Sequence, residues 1–356
     1  MKKNILRAFN IAKRDLRKNY SEIGILAGTT HFNDLWARDA MFASLGVLEL
    51  GDFGIVKKSL ISLLDNQRDD GLFPNRIGIN IILKFLWFGK KMQKKVSYLD
   101  DIGHSEVKDT NSLVIIIANE YVKKSGDADF AKKYFEKLKK AVKYYGDDLV
   151  EETPYANWAD TIPKKGKVLY TNVLYWKAIV SLGELAKKIR RKKEWVNGKK
   201  IKEKINKIFW NNEYYNDTDS SSVFASDGNV LAIIFNLATK KQKESILQSI
   251  RKFKMEEFTL KQSHPEYEKS SMFSRIMGMG DYHNLMWLWT GCLYGLIKKE
   301  MLDKIADKIN EFNGVYEIYE LDGKPVARFI YKSEKNFSWS AGLFIYAVKK
   351  MYKKIL

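Results

Sequence analysis

The chain has 356 residues, 45% hydrophobic and 13% aromatic, and carries 62 Lys and Arg against 43 Asp and Glu for a formal net charge of +19. It is long enough for one large core or two ordinary domains, and its one cysteine, Cys292, excludes an intrachain disulfide and points to a reducing compartment. The basic excess raises nucleic acid or an anionic membrane as partners. Most of it, however, is lysine spaced along amphipathic segments (Lys132, Lys133, Lys137, Lys139, Lys140, Lys143), which suits solvated helix faces, so no specific nucleic-acid binding is expected.

Along the chain, the start Met1-Lys2-Lys3-Asn4-Ile5-Leu6 is basic, yet no continuous apolar stretch or cleavage site follows it. No apolar run reaches membrane-spanning length, so a cytoplasmic protein is expected. Helical periodicity then dominates and predicts about twelve helices, near 2–19, 38–50, 52–66, 109–125, 127–148, 171–190, 198–210, 228–237, 239–253, 283–298, 300–312 and 337–354. They alternate in kind. Leu113 to Ala118, Val173 to Leu185, Val230 to Leu237, Leu285 to Leu296 and Ala341 to Val348 are apolar nearly all round. Between them lie lysine-rich amphipathic helices such as 127–148 and 239–253.

A helix apolar on every face is buried, and one with a single stripe lies outside. The alternation therefore predicts an all-α fold, an (α/α)6 toroid of inner and outer helices forming a single domain over 1–356. Up-down connection makes the inner helices parallel, with their N-terminal ends on one rim. Segment 77–99 breaks the rhythm. It is apolar to Phe88 and then basic at Lys90, Lys91, Lys94 and Lys95, and is expected to be a hairpin or short helix at the rim, or else an interfacial patch.

The unusual residues fall in the loops ahead of the inner helices: His31 to Asp39, Asp100 to Asp109, Asn157 to Asn172, Ser226 to Asn229, Gly280 to Asn284 and Asn336 to Ser340. Six loops on one rim predict one polar, aromatic-lined pocket. Helix capping accounts for Asp109, Asp227 and Asn336, but not for the Trp and Tyr beside them. Three motifs stand out: Trp36-Ala37-Arg38-Asp39, Asn157-Trp158-Ala159-Asp160, and Gly314-Val315-Tyr316-Glu317-Ile318-Tyr319 followed by Asn336-Phe337-Ser338-Trp339-Ser340. Two carboxylates set among aromatic rings are the minimum equipment for cutting a glycosidic bond.

Glu317 competes with Glu320 and Glu334 for such a role. Asp101, His104 and Asp109 are candidates for the pocket lining. His283 is either another or a satisfied core histidine, whereas Trp87, Trp195 and Trp210 are packing residues. With 4 His and one Cys there is neither Cys-x-x-Cys nor His-Glu-x-x-His, and Gly278-Met279-Gly280 is no nucleotide loop. No metal or cofactor is expected, since hydrolysis needs only water.

Several segments carry a family pattern in order. Phe32 to Met41 looks like W-x-R-D, and Asp70 to Arg76 like G-x-x-P-N-R. Trp158-Ala159-Asp160, Lys165-Gly166-Lys167 and Asn172 to Trp176 look like W-x-D-A, R-x-G-K and N-A-L-W-Y. Tyr282-His283-Asn284 with Trp287 looks like Y-H-x-x-x-x-W. From about Ala27 to Val348 the chain resembles the α/α-toroid glycoside hydrolases, above all the amylo-α-1,6-glucosidase domain of glycogen debranching enzymes. Glucoamylases, trehalases and processing α-glucosidases are more distant relatives of the same architecture.

The resemblance implies roles. Asp160 would be the general acid that protonates the leaving oxygen, and Glu317 the general base that activates water from the opposite face. Arg38 and Asp39 would grip hydroxyls of the terminal sugar, and Trp36, Trp158 and Trp339 would offer flat faces to sugar rings. His283 and Trp287 belong to the same lining. An inverting site of this kind needs its carboxyls roughly 6.5–9.5 Å apart, to leave room for water.

Two departures bear on the substrate. Debranching enzymes carry a further N-terminal region, whereas here the barrel starts almost at once, which favours a short oligosaccharide, a disaccharide or a glycosyl conjugate. Val114 and Ile115 stand where relatives often have aromatics. The expected activity is that of an inverting α-glucosidase releasing glucose, with α-1,6 branch points of glycogen-like oligosaccharides as the first candidates. The alternatives are a hydrolase of another small α-glycoside such as trehalose or a glycosyl conjugate, and a non-catalytic carbohydrate-binding toroid.

Overall fold

The computed structural model describes residues 2–78, 95–100, 103–192 and 196–353. Among them are thirteen α-helices: α1 Lys2–Arg17, α2 Ala37–Leu50, α3 Phe53–Asp65, α4 Thr110–Ser125, α5 Ala128–Lys143, α6 Leu169–Lys188, α7 Gly198–Phe209, α8 Ser226–Ile234, α9 Lys240–Lys252, α10 Met272–Ile276, α11 Leu288–Tyr294, α12 Glu300–Glu311 and α13 Ser338–Met351. The helices that are apolar all round find one another. α2 packs on α4, α4 on α6, α6 on α8, α8 on α11, α11 on α13, and α13 returns to α2, closing the inner ring of the (α/α)6 toroid.

The outer helices bury one stripe each. α7 buries Ile201, Ile205 and Phe209, four residues apart, and turns its lysines outward. α5 does the same with Phe130, Tyr134, Leu138 and Val142. α1 lies against α12 and α13. The ring closes most tightly at the α2–α13 crossing. A Cβ on Gly46 would run into the carbonyl of Gly342, and one on Gly342 into the Ala43 backbone, so glycine is required there by close approach.

Three of the outer helices, α5, α7 and α9, carry ordinary side-chain caps. Asp127 accepts from Phe130 N at 2.9 Å at the start of α5, and Thr239 with Gln242 forms a capping box on α9. The inner helices differ. Trp36, Val168, Ala225, Trp287 and Phe337 precede them in extended conformation, and none makes a side-chain cap. Capping is therefore not what Asp109, Asp227 and Asn336 do. Asp109 precedes α4 without a cap bond, Asp227 lies inside the first turn of α8, and Asn336 stands one residue before the cap of α13 with φ 64°.

Short antiparallel strands feed these helix starts. Leu35–Trp36 pairs with Arg76–Gly78 and leads straight into α2, and Met286–Trp287 pairs with Ile318–Tyr319 and leads into α11. That pairing shortens the helix predicted over 283–298. Tyr282–Asn284 forms a 3-10 turn, Trp287 is committed to Ile318, and α11 begins at Leu288. The helix predicted to 148 stops at Lys143, ahead of Gly146 with φ 77°. The two ends of segment 77–99 form strands, Lys95–Ser97 pairing with Arg76–Gly78. Residues 79–94, with Trp87, and also Asp101 and Trp195, lie outside the described residues. Among the described residues no helix is long and apolar enough to cross a membrane.

Candidate active site

A cavity of about 430 Å³ opens at the N-terminal ends of α2, α11 and α13. Trp36, Arg38 and Asp39 reach it from the start of α2, and Trp158 and Asp160 from the loop before α6. Trp287 and Trp339 come from the starts of α11 and α13, and Glu317 from the turn ahead of Ile318. These are residues that the sequence singled out, brought together from positions about 300 apart (36 to 339).

The floor of the cavity is aromatic and charged. Trp158 contacts Trp287, Trp289 and Trp339 at ring-centroid distances of 5.6, 4.9 and 6.4 Å. Trp36, Trp158 and Trp339 are only 6, 3 and 3% exposed, so their rings are largely covered and stiffen the floor as well as lining it. Arg38 Nε donates to Asp109 Oδ2 at 2.8 Å, and Tyr170 Oη donates to the same oxygen at 3.2 Å. Asp109 thus lies beneath the cavity and fixes Arg38 from below. Burial pushes the Asp39 carboxyl up to about 7, with Arg38 opposing and the negative charge of Glu317 adding to the rise. A carboxyl that keeps its proton near neutrality can both donate to and accept from a sugar hydroxyl.

The Asp160 loop is held by its neighbours. Asn157 Oδ1 accepts from Ala159 N at 2.8 Å, while Asn157 Nδ2 donates to Glu152 at 2.6 Å. The Trp158 indole donates to Asp227, a buried carboxylate at the start of α8. His283 stacks on Trp287 with centroids 5.8 Å apart. Its Nε2 lies 3.0 Å from the Trp158 carbonyl, which can only accept, so Nε2 carries the proton. Nδ1 then accepts from Thr161 Oγ1 at 2.7 Å. Burial holds the His283 imidazole down at about 3, so it is neutral, and its 3.8 Å approach to Asp160 Oδ1 is not an ion pair. His283 is a satisfied buried histidine that pins both sides of Asp160. The Asp160 side chain keeps 28% exposure.

Glu317 is held differently. Both of its carboxylate oxygens accept phenolic hydrogen bonds, one from Tyr282 and the other from Tyr331. Burial raises its pKa, and the two phenols pull it back. Its rivals are engaged elsewhere. Glu320 pairs with Arg328 at 2.8 Å. Glu334 accepts from Thr29 N, Thr30 N and Thr30 Oγ1 at 2.9, 2.7 and 2.5 Å and faces His31 Nδ1 at 2.8 Å. Burial opposes these contacts, but they outweigh it and hold the Glu334 carboxyl at about 2.

Some predicted members stand apart. His104 is exposed, with its backbone N–H on Asp100 Oδ1 at 2.9 Å, and does not line the cavity. Among the described residues of 100–109 and 226–229 none lines the cavity, and Val114 and Ile115 are buried away from it. Other members were missed. Tyr282 stood in the quoted Tyr282-His283-Asn284 motif, but Tyr331 lies in an irregular stretch with no pattern to mark it. Segments 271–279 and 329–332, which form the outer walls, carry no periodicity either. Among the described residues no group of His, Cys, Asp and Glu could hold a metal ion.

With this geometry in hand, the chain can be set beside known proteins. Residues 10–323 match the family model described as amylo-α-1,6-glucosidase. A GH63 mannosylglycerate hydrolase from Thermus thermophilus, solved in complex with glucose, is 14% identical with a TM-score of 0.71, covering 95% of this chain and 99% of its own. A glycosidase variant in complex with glucose is 12% identical with a TM-score of 0.72, covering 97% of each chain. No curated protein matches the sequence significantly.

Proposed function

The chain belongs to the amylo-α-1,6-glucosidase family and is a glycoside hydrolase, and from that premise we propose that it is an inverting α-glucosidase with Asp160 as general acid and Glu317 as general base. One observation carries the assignment of the pair. Asp160 and Glu317 line the same cavity from different loops, while Glu320, Glu334 and Asp109 are spent on Arg328, on the 29–31 turn and on Arg38.

The chemistry follows from the surroundings. A glycosidic oxygen leaves poorly unless protonated as the bond breaks, and the partial exposure of Asp160 on the pinned loop supports giving it that proton-donating role. Glu317 is the acceptor. Two phenolic donors favour its carboxylate form, which takes a proton from the attacking water. Arg38 and Asp39 supply charged and neutral partners for the hydroxyls of the bound sugar. The family points to α-1,6 linkages. A short glycosyl conjugate is the second reading, favoured by the mannosylglycerate hydrolase of the same fold.

The test is sugar release from isomaltose, a branched limit dextrin, maltose, trehalose, sucrose and mannosylglycerate, with the anomer first formed read by NMR. Release from at least one α-glucoside with inversion is expected. Asp160→Asn and Glu317→Gln should each lower kcat by about 100-fold or more with the fold intact. A product of retained configuration, or full activity in either variant, rules the mechanism out.

A further inference from the structure

The cavity changes character from floor to mouth. Its charged and hydrogen-bonding groups, Arg38, Asp39, Asp160 and Glu317, lie deep, whereas the outer walls are built from Phe273, Met277, Met279, Phe329 and Ile330. Phe329 is 102% exposed, Ile330 52% and Phe273 50%. Large apolar side chains left in water around a cavity mouth mark a surface that a ligand covers. Ser271 and Ser274 bond each other at 2.6 Å, which leaves Lys332, exposed beside Ile330, as the charged group on this side of the mouth among the described residues.

These walls are held in place. Arg328 grips Asp281 at 2.6 and 2.8 Å, Glu320 at 2.8 and 2.9 Å and the Gly278 carbonyl at 3.0 Å, which ties the Phe329–Ile330 tip to the opposite 278–281 segment. Across the mouth, Ser271 N donates to the Thr161 carbonyl at 2.6 Å, so the Phe273 wall stands directly beside the Asp160 loop. If Asp160 is the general acid of the proposed function, the departing group lies beside that wall.

We propose that the mouth is a subsite that also accepts an apolar aglycone, so that glycosides carrying an alkyl or aryl leaving group are bound more tightly than those carrying a small polar one. This rests on the proposed function for where the bond is cut. A second sugar, with its hydroxyls left in water, would cover little of the exposed Phe273, Phe329 and Ile330 surface, whereas an alkyl chain or aromatic ring would cover more of it and gain the corresponding burial.

Binding, read by tryptophan fluorescence, tests the subsite independently of turnover, using methyl, phenyl and octyl α-thioglucosides below micellar concentrations. The octyl or phenyl compound should bind at least about 10-fold tighter than methyl, the equivalent of burying about two methylenes. Tighter octyl binding alone identifies an alkyl site, and tighter phenyl binding alone an aryl site. Phe329→Ser combined with Ile330→Ser, and separately Phe273→Ser on the facing wall, should shrink the advantage to about twofold. Leu321→Ser, exposed outside the cavity, should leave it unchanged. Equal affinities of all three compounds, or no binding of any, overturn the subsite. If octyl binds tighter but no α-glucoside is hydrolysed, the catalytic reading fails and the subsite stands. If a disaccharide is hydrolysed through Asp160 and the octyl advantage is absent, the reverse holds.

Discussion

Glu317 sits between two phenols, and that fixes what each phenol is worth. Tyr282 and Tyr331 each donate to one carboxylate oxygen, stabilising the charged form against a burial that disfavours it. Removing one donor raises the pKa of Glu317 further. A base with a higher pKa is ionised over a smaller part of the acid range, so the acidic limb of the kcat/KM profile moves up. For Tyr331→Phe the move should be about one pH unit, the size of one hydrogen bond to a charged group. A profile that keeps its acidic limb while kcat falls would deny Glu317 the role of base. At this scale the sequence was informative where chemistry and aromatic neighbours coincide in a short stretch, as at Asp160 beside Trp158. It was silent on Tyr331, whose meaning depends on a partner fourteen residues away across a turn. It preferred Glu317 to Glu320 and Glu334 through the resemblance alone, because what separates the three physically is the identity of their hydrogen-bond and charge partners. Those partners are Arg328 for Glu320, the 29–31 turn for Glu334 and the phenols of Tyr282 and Tyr331 for Glu317.

Elements position this site more than single residues do. The 157–161 loop has no regular structure of its own and is fixed from three other elements: by Asp227 on α8, by His283 in the turn before α11, and by Ser271 ahead of α10. Thr161→Val keeps the shape of the side chain but leaves the buried His283 Nδ1 without its donor. Stability should fall by about 1–2 kcal/mol. If the contact also aims Asp160, kcat should drop about 10-fold with KM little changed, and Thr161→Ser should restore both. A loss of stability with kcat intact would leave the contact purely structural. The helices themselves were legible because their period and their alternation of apolar and striped faces are local properties. The element that was misjudged, 283–298, failed for a non-local reason. Trp287 is claimed by Ile318, thirty-one residues on, and that pairing overrides a locally helical run. The five-residue α10 is too short to show a period at all.

For the whole molecule, burial of titratable groups around the cavity makes stability depend on pH in two opposing senses, shown by His283 and Glu334 on one side and by Asp39, with buried Glu152 raised likewise to about 7, on the other. The His283 imidazole is lowered from its ordinary 6.5 to about 3, so between those values the unfolded chain binds a proton that the folded one refuses, and stability falls as pH drops through that window. The Glu334 carboxyl is lowered from 4.5 to about 2. Its contribution is complete above 4.5 and is lost as pH falls towards 2. Asp39 acts in the opposite sense. Raised from 3.8 to about 7, it contributes most below 3.8 and loses that contribution as pH rises through 7. Acidification also adds charge to a chain already at +19, and the repulsion between those charges is screened by salt. Between pH 6.5 and 3.8 the gain from Asp39 offsets the loss from His283, so the unfolding midpoint should fall mainly below pH 4.5, where the contribution of Glu334 is lost as well, and added salt should recover only the part due to repulsion, because His283 and Glu334 are buried. Glu334→Gln separates the contributions. It removes charge-assisted bonds to the 29–31 turn and should lower stability by about 1–2 kcal/mol at pH 7. The gap to the parent should shrink below pH 4.5 and close near pH 2, where the parent carboxyl is itself protonated. The measurement is thermal unfolding of both proteins across that range at low and high salt. A gap that stays constant with pH would mean that Glu334 acts by packing rather than by charge, and that the turn carrying His31 beside the cavity is held by something other than its carboxylate.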